Sequence, residues 1–270
     1  MTAVGKARRP GQVQRSDSVL GPIGSGVQGR RVTPEPGVVT RSLLAIARDG
    51  SDDRRLAEKI CHFCLQGFDV DGASISLLTA TAARETLWAT DAVADLLEDL
   101  QFAMNEGACM EAATTGAAVA VADLRRTSDT TGWPMFAAAV AERTPIRALF
   151  ALPLRWGAVN IGVLDLYRTT PGVLTAVQWQ DALTAADTAA LMMLGQRTDP
   201  GDHAGSWLDH PLSHRAEIHQ ATGMVLAQLG INASDALARL RAHAFVEQRL
   251  LIDVARDVVA RRLRLTPDET

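Results

Sequence analysis

The chain has 270 residues, 47% of them hydrophobic, enough for one large or two small cores and too many for a chain disordered throughout. A net charge of −4 excludes an overall basic coat, and three cysteines exclude a disulfide-stapled secreted domain. Lys6 and Lys59 are the two lysines; Gly5-Lys6 is followed by Ala7 and so is no P-loop, and Schiff-base chemistry has almost no candidates.

The charge is unevenly spread. Residues 1–41 carry seven basic and two acidic side chains, residues 42–204 carry 12 and 21, and residues 205–265 carry eight and six. An acidic middle is therefore flanked by two basic segments, and any nucleic-acid role falls to the ends. Residues 1–38 are rich in Gly, Pro, Ser and Arg and are expected to form a disordered tail. They hold no apolar h-region, and nowhere does an apolar run reach roughly 18 residues, so neither a secretory signal nor a membrane span is expected. The expected location is the cytoplasm.

Residues 40–68 read as helix in two pieces, broken near Asp49-Gly50-Ser51; in the second, Leu56, Ile60, Phe63, Cys64 and Phe68 fall at helical spacing. Asp71-Gly72 marks a turn. From Ala73 to Leu78, Ser74 and Ser76 alternate with Ile75 and Leu77, which predicts a half-buried strand, with Glu85 to Thr90 as its hairpin partner. Helical spacing returns over 92–104. Ala117 to Ala122 is strand-like, and Met135 to Glu142 is a short Ala-rich helix. Ala148 to Leu154 and the run through Val159, Ile161 and Val163 are two further strands around a Trp156-Gly157 turn, and residues 177–194 close with a helix. Hairpins with flanking helices predict an α+β domain, an antiparallel sheet covered by helices, over residues 39–198. A polar, Pro- and Gly-containing break follows, with a linker at 199–206. Residues 207–265 predict an all-α module of three short helices, and residues 266–270 a tail. In this module Ile218, Ala221, Val225 and Leu229 make one stripe stopped by Gly230, Ser234 is the expected N-cap of the second helix, and Leu251, Val254, Val258 and Val259 line the third.

The chemistry-bearing residues are few. Cys61 and Cys64 form a C-x-x-C at helical i,i+3 spacing, but a closed zinc site needs four ligands and no second C-x-x-C exists, so both are expected to be core thiols. Cys109 follows Gly107 in an expected connection near the sheet and is the ligand-pocket candidate. His210 and His214 lack a third ligand and read as surface residues. No Ser/His/Asp or Cys/His/Asp arrangement is visible, so no catalytic residue, cofactor or metal is expected, and the chain is not read as an enzyme.

Asn105-Glu106-Gly107-Ala108-Cys109-Met110-Glu111-Ala112, Ala122-Asp123, Trp133-Pro134-Met135-Phe136, Leu152-Pro153-Leu154 and Ile161-Gly162-Val163-Leu164-Asp165-Leu166 together resemble a GAF domain over about residues 40–195. The usual pattern has Pro where Ala108 stands. The resemblance implies a signal-sensing fold that takes an unknown small-molecule ligand on one face of the sheet. Arg215, Ile218, Gln220-Ala221-Thr222-Gly223-Met224, Ala236, Leu240-Arg241, Ala244-Phe245, Arg249, Leu251 and Asp253-Val254-Ala255 resemble an ANTAR domain, the three-helix RNA-binding module of transcription antitermination regulators. That family often has Lys where Thr222 stands. The implied partners are RNA stem-loops, held by Arg215, Arg239, Arg241, Arg249 and Arg256, each polar beside an apolar stripe or matching the family pattern.

The expectation is thus a GAF-like sensor domain followed by an ANTAR domain, forming a signal-responsive regulator of transcription antitermination. Met224 and Leu226 lie off the main stripe of their helix and predict a homodimer through the C-terminal helices. The alternatives are a protein–protein signalling adaptor dimerising through those helices, and a redox sensor built on the cysteines.

Overall fold

Two helices precede the first strand in the computed structural model, which describes residues 37–46, 52–78, 84–126, 130–195 and 215–266. The break at Asp49–Ser51, the linker, His210 and His214, most of both expected tails and the residues joining the first two strands lie outside that set. The chain runs α1 (Val38–Ile46), α2 (Asp53–Gly67), β1 (Gly72–Leu78), β2 (Arg84–Ala89), α3 (Ala92–Met104), α4 (Ala108–Thr115), β3 (Val119–Val121), α5 (Pro134–Arg143), β4 (Ala148–Trp156), β5 (Val159–Arg168) and α6 (Ala176–Gly195). The C-terminal module follows as α7 (Ala216–Leu229), α8 (Ala233–Val246) and α9 (Leu251–Val259). The first helix begins at Val38, and the Gly37 N–H donates to Asp181 Oδ2 of α6, so helical structure reaches just inside the expected tail.

The five strands lie in the order β2-β1-β5-β4-β3, every pair antiparallel. Strand alternation separates two cores. Ala73, Ile75, Leu77, Phe150, Leu152, Leu164 and Leu166 point toward α1, α2 and α6, while Leu149, Ala151, Val163 and Tyr167 point toward α3, α4 and α5. Gly162 lies so close to β1 that a Cβ there would stand 2.3 Å from the Ser76 carbonyl oxygen, which keeps the central pair β1–β5 tight.

Three local expectations are corrected. β1 is buried on both faces, with Ser74 and Ser76 at most 1% exposed, because helices cover the sheet on both sides. Cys109 is on a helix, α4, and not in a connection. The N-cap of α8 is Asn232, whose side chain accepts from the Asp235 N–H at 2.9 Å, and not Ser234, which lies inside the helix.

A third core joins α7, α8 and α9 through Ile218, Ala221, Val225, Leu240, Leu251, Val254 and Val258. Gly230 caps α7 in the left-handed conformation at φ 67°, as the sequence predicts. This core is completed from outside the module by Phe102 of α3, which is 3% exposed. Three helices in about fifty residues bury little apolar surface alone, and an aromatic ring borrowed from the sheet domain enlarges the core.

Candidate functional site

On the α3 face of the sheet the apolar core is interrupted by a polar cluster. β1 contributes Ser74 and Ser76, and register places Ser74 directly opposite Asp165 of β5. Glu98 and Gln101, one turn apart on α3, reach into the cluster, and Cys109 enters from the first turn of α4. All six side chains are at most 1% exposed. Ser74 Oγ donates to Glu98 Oε1 at 2.8 Å, and Thr86 Oγ1 donates to Glu98 Oε2 at 3.4 Å. Gln101 Nε2 donates to Asp165 Oδ2 at 2.8 Å, while Gln101 Oε1 accepts the Cys109 backbone N–H at 2.8 Å. Cys109 Sγ lies 3.7 Å from Ser76 Oγ.

The turn before α4 is built for this arrangement. Gly107 holds φ 115°, and a Cβ there would stand 2.7 Å from Gln101 Oε1. A side chain at this position would be strained and would push Gln101 off both of its partners.

Two carboxyl groups, Glu98 and Asp165, meet the Arg84 guanidinium in this cluster. Burial, and then the neighbouring Glu98 carboxylate, hold the Asp165 carboxyl well above the usual carboxylate range. Arg84, 2% exposed, brings Nη2 to 3.2 Å from Glu98 Oε2, a charge contact without hydrogen-bond alignment. Asp165 Oδ1 receives no hydrogen bond.

From the same helix, residues adjacent to the cluster turn outward to the C-terminal module. Arg215, just before α7, donates from Nη1 to the Arg84 carbonyl at 2.5 Å and from Nη2 to Thr86 Oγ1 at 3.1 Å and the Glu98 carbonyl at 3.2 Å. Its guanidinium carbon stands 4.1 Å from the Phe102 ring centroid, and that of Arg241 stands 4.9 Å from the same ring. His219 of α7 pairs with Glu85 of β2. A cleft of about 290 Å³ opens beside this contact, between α3 and α5 on one side and α8 and α9 on the other, with Met104, Met135, Phe245 and Ile252 among its walls.

A model of the GAF domain matches residues 51–193, more than half of the chain. The chain belongs to the GAF domain family. A model of the ANTAR domain matches residues 208–259, C-terminal to the GAF domain. Solved structures with similar folds include the GAF domain of an Acinetobacter phosphoenolpyruvate-protein phosphotransferase, at 11% identity and a TM-score of 0.45, covering 60% of this chain and 97% of that one. The GAF domain of the corresponding Coxiella burnetii protein is 11% identical with a TM-score of 0.45, covering 59% and 95%. Free methionine-R-sulfoxide reductase from Neisseria meningitidis is 14% identical with a TM-score of 0.41, covering 59% and 90%. No curated protein matches the chain. Among the described residues no helix is long and apolar enough to cross a membrane.

The structure divides the five arginines expected to hold RNA. Arg215 is fully buried in the contact between the GAF domain and the ANTAR segment, so in this conformation it faces protein and not solvent. Arg241 is partly buried against Phe102, and burial, then the neighbouring Arg215, lower its pKa to about 10. Both arginines read from sequence as polar residues beside apolar stripes; their aromatic partner lies in the other domain. Arg239 is half-buried on α8. Arg249 and Arg256 are exposed; Arg249 pairs with Asp257 at 2.5 Å, and Arg256 lies 3.5 Å from Asp253 and 3.6 Å from Glu217. Thr222 is buried, its hydroxyl donating to the Ile218 carbonyl at 2.7 Å, so the position that often carries Lys in the family is turned inward here.

Cys61 and Cys64 are buried in the core on the opposite side of the sheet from the polar cluster. Burial is the leading cause that pushes both thiols well up, Cys61 also through Cys64 and Cys64 through Asp181, which keeps them protonated and poorly nucleophilic. Sequence reasoning missed Arg84, Glu98, Gln101 and Asp165. The signals were a carboxylate inside the apolar run Leu164-Asp165-Leu166, and a Glu98–Gln101 pair at i,i+3 among the apolar residues of α3.

Proposed function

We propose that this protein is a signal-responsive, RNA-binding regulator of transcription antitermination. In this reading residues 39–198 sense a small molecule or other signal, and residues 207–265 bind structured RNA and promote read-through of a terminator. The observation that carries the reading is the presence of a GAF domain and an ANTAR match in one chain, in contact through a shared helix. That helix has two working faces: Glu98 and Gln101 point into the buried polar cluster of the sensor, while Asp99 and Phe102 point at Arg215. A change in the cluster that moves α3 therefore moves the ring on which two ANTAR arginines rest.

Leu226, Phe245 and Val246 are 36%, 57% and 74% exposed, apolar surface that supports a homodimer through the C-terminal helices. The same surface is what favours the second reading, a protein–protein adaptor. Crosslinking the protein to cellular RNA and sequencing the bound fragments separates the two: the regulator enriches a defined set of stem-loops, and the adaptor enriches none.

A further inference from the structure

We propose that Glu98, Cys109 and Asp165 form a buried binding site for a single borderline transition-metal cation of the Zn²⁺ class, an inference that rests on the sensor reading and names its signal. The three side chains come from α3, α4 and β5, and one potential ligand atom from each lies within 4.8 Å of the others. Ligands about 2.0–2.3 Å from a tetrahedral ion stand roughly 3.3–3.8 Å apart, so an inward movement of about 1 Å closes the site.

A second observation points the same way. Asp165 Oδ1, on a side chain 1% exposed, receives no hydrogen bond and has the Glu98 carboxylate for a neighbour. Arg84 Nη2 stands 3.2 Å from Glu98 Oε2 and supplies that carboxylate with a cation, so Asp165 Oδ1 is the buried acceptor left open to a metal. The remaining ligand atoms are already oriented from outside, as ligands of metal sites are: Ser74 and Thr86 hold Glu98, Gln101 holds Asp165, and Ser76 lies against the Cys109 sulfur.

The donor set selects the metal class. One sulfur and two carboxylates suit Zn²⁺, Co²⁺ or a similar ion, whereas Mg²⁺ and Ca²⁺ require all-oxygen shells. Three protein ligands leave a fourth position of a tetrahedral ion for water. Binding takes the thiol as its thiolate, so metal uptake releases a proton.

The test is a titration of the chelator-stripped full chain with Co²⁺, read by absorption. The expected result is one equivalent bound, with a thiolate-to-cobalt charge-transfer band, displaced by Zn²⁺ and untouched by Mg²⁺. The band disappears in Cys109→Ser and persists in the double variant Cys61→Ala/Cys64→Ala. Asp165→Asn, close in shape and neutral, keeps the native helical signal and weakens Co²⁺ binding tenfold or more. Absence of stoichiometric binding, or a band lost with Cys61 and Cys64 and kept without Cys109, overturns the proposal. No RNA enters the measurement, so a failure here is separate from a failure of the regulator reading.

Discussion

The Arg215 guanidinium carbon stands 4.1 Å from the centroid of the Phe102 ring, in a contact that water does not reach: the arginine is 0% and the phenylalanine 3% exposed. The aromatic ring comes from the sensor domain and the cation from the start of the ANTAR helices. The pair therefore ties the two modules together, beside the His219–Glu85 contact. A desolvated cation–π contact of this kind contributes about 2 kcal/mol.

Replacing Phe102 with Ala removes a core residue as well as the cation's partner, and unfolding stability is expected to fall by about 3–5 kcal/mol. A double-mutant cycle with Phe102→Leu and Arg215→Met isolates the pair. Denaturant unfolding of the four proteins is expected to give a coupling energy of about 0.5–2 kcal/mol, where independent sites give none.

Asp165 predicts a pH dependence. Its carboxyl binds a proton more tightly in the folded protein than in the unfolded chain, where the pKa is about 3.9. The stability this group contributes is therefore complete below that value and is lost as pH rises toward the folded pKa. In metal-free protein, the urea midpoint is expected to drop more as pH rises above about 4 in the wild type than in Asp165→Asn, whose side chain does not titrate. Parallel profiles would show that Asp165 ionises in the folded state as it does in water.

The element pattern was legible wherever one face of an element met a core. Hydropathy period alone marks both hairpins of the sheet and the three C-terminal helices. It failed at α4, whose Ala108-Cys109-Met110-Glu111-Ala112-Ala113 run has mostly small side chains and no broad apolar stripe to separate it from a connection. On β1 the Ser/Ile alternation marks the strand, but a polar face that predicts water lines a buried polar cluster here. The arginines divide for a related reason. Nothing near Arg215 or Arg241 in the sequence shows that Phe102 covers them, so a buried anchor and a solvent-facing cation look alike until the domains are brought together.

For the C-x-x-C pair the expected behaviour is inert. Cys61→Ala and Cys64→Ala each remove a fully buried thiol from the core and are expected to cost about 0.5–3 kcal/mol. In the native wild type, neither thiol reacts with a thiol reagent at a rate above that of unfolding. Fast labelling of either would restore the redox-sensor reading.

The proposed homodimer would use the exposed apolar residues of the C-terminal helices. Charges introduced by Leu226→Glu together with Phe245→Glu are expected to lower the mass measured by light scattering from dimer to monomer, with the helical signal retained. The same mass in both proteins would remove these residues from any interface.

The most direct test of the central claim is a binding titration of the full chain on a stem-loop recovered by crosslinking, at roughly 50 and 200 mM salt. Arg249 and Arg256 are the expected RNA-binding arginines that the structure leaves exposed. The account predicts that Arg249→Ala/Arg256→Ala binds more weakly than wild type and with a flatter salt dependence, at unchanged helicity. If the double variant binds as tightly as wild type at both salt concentrations, these side chains are a solvated face, and the adaptor reading replaces the regulator.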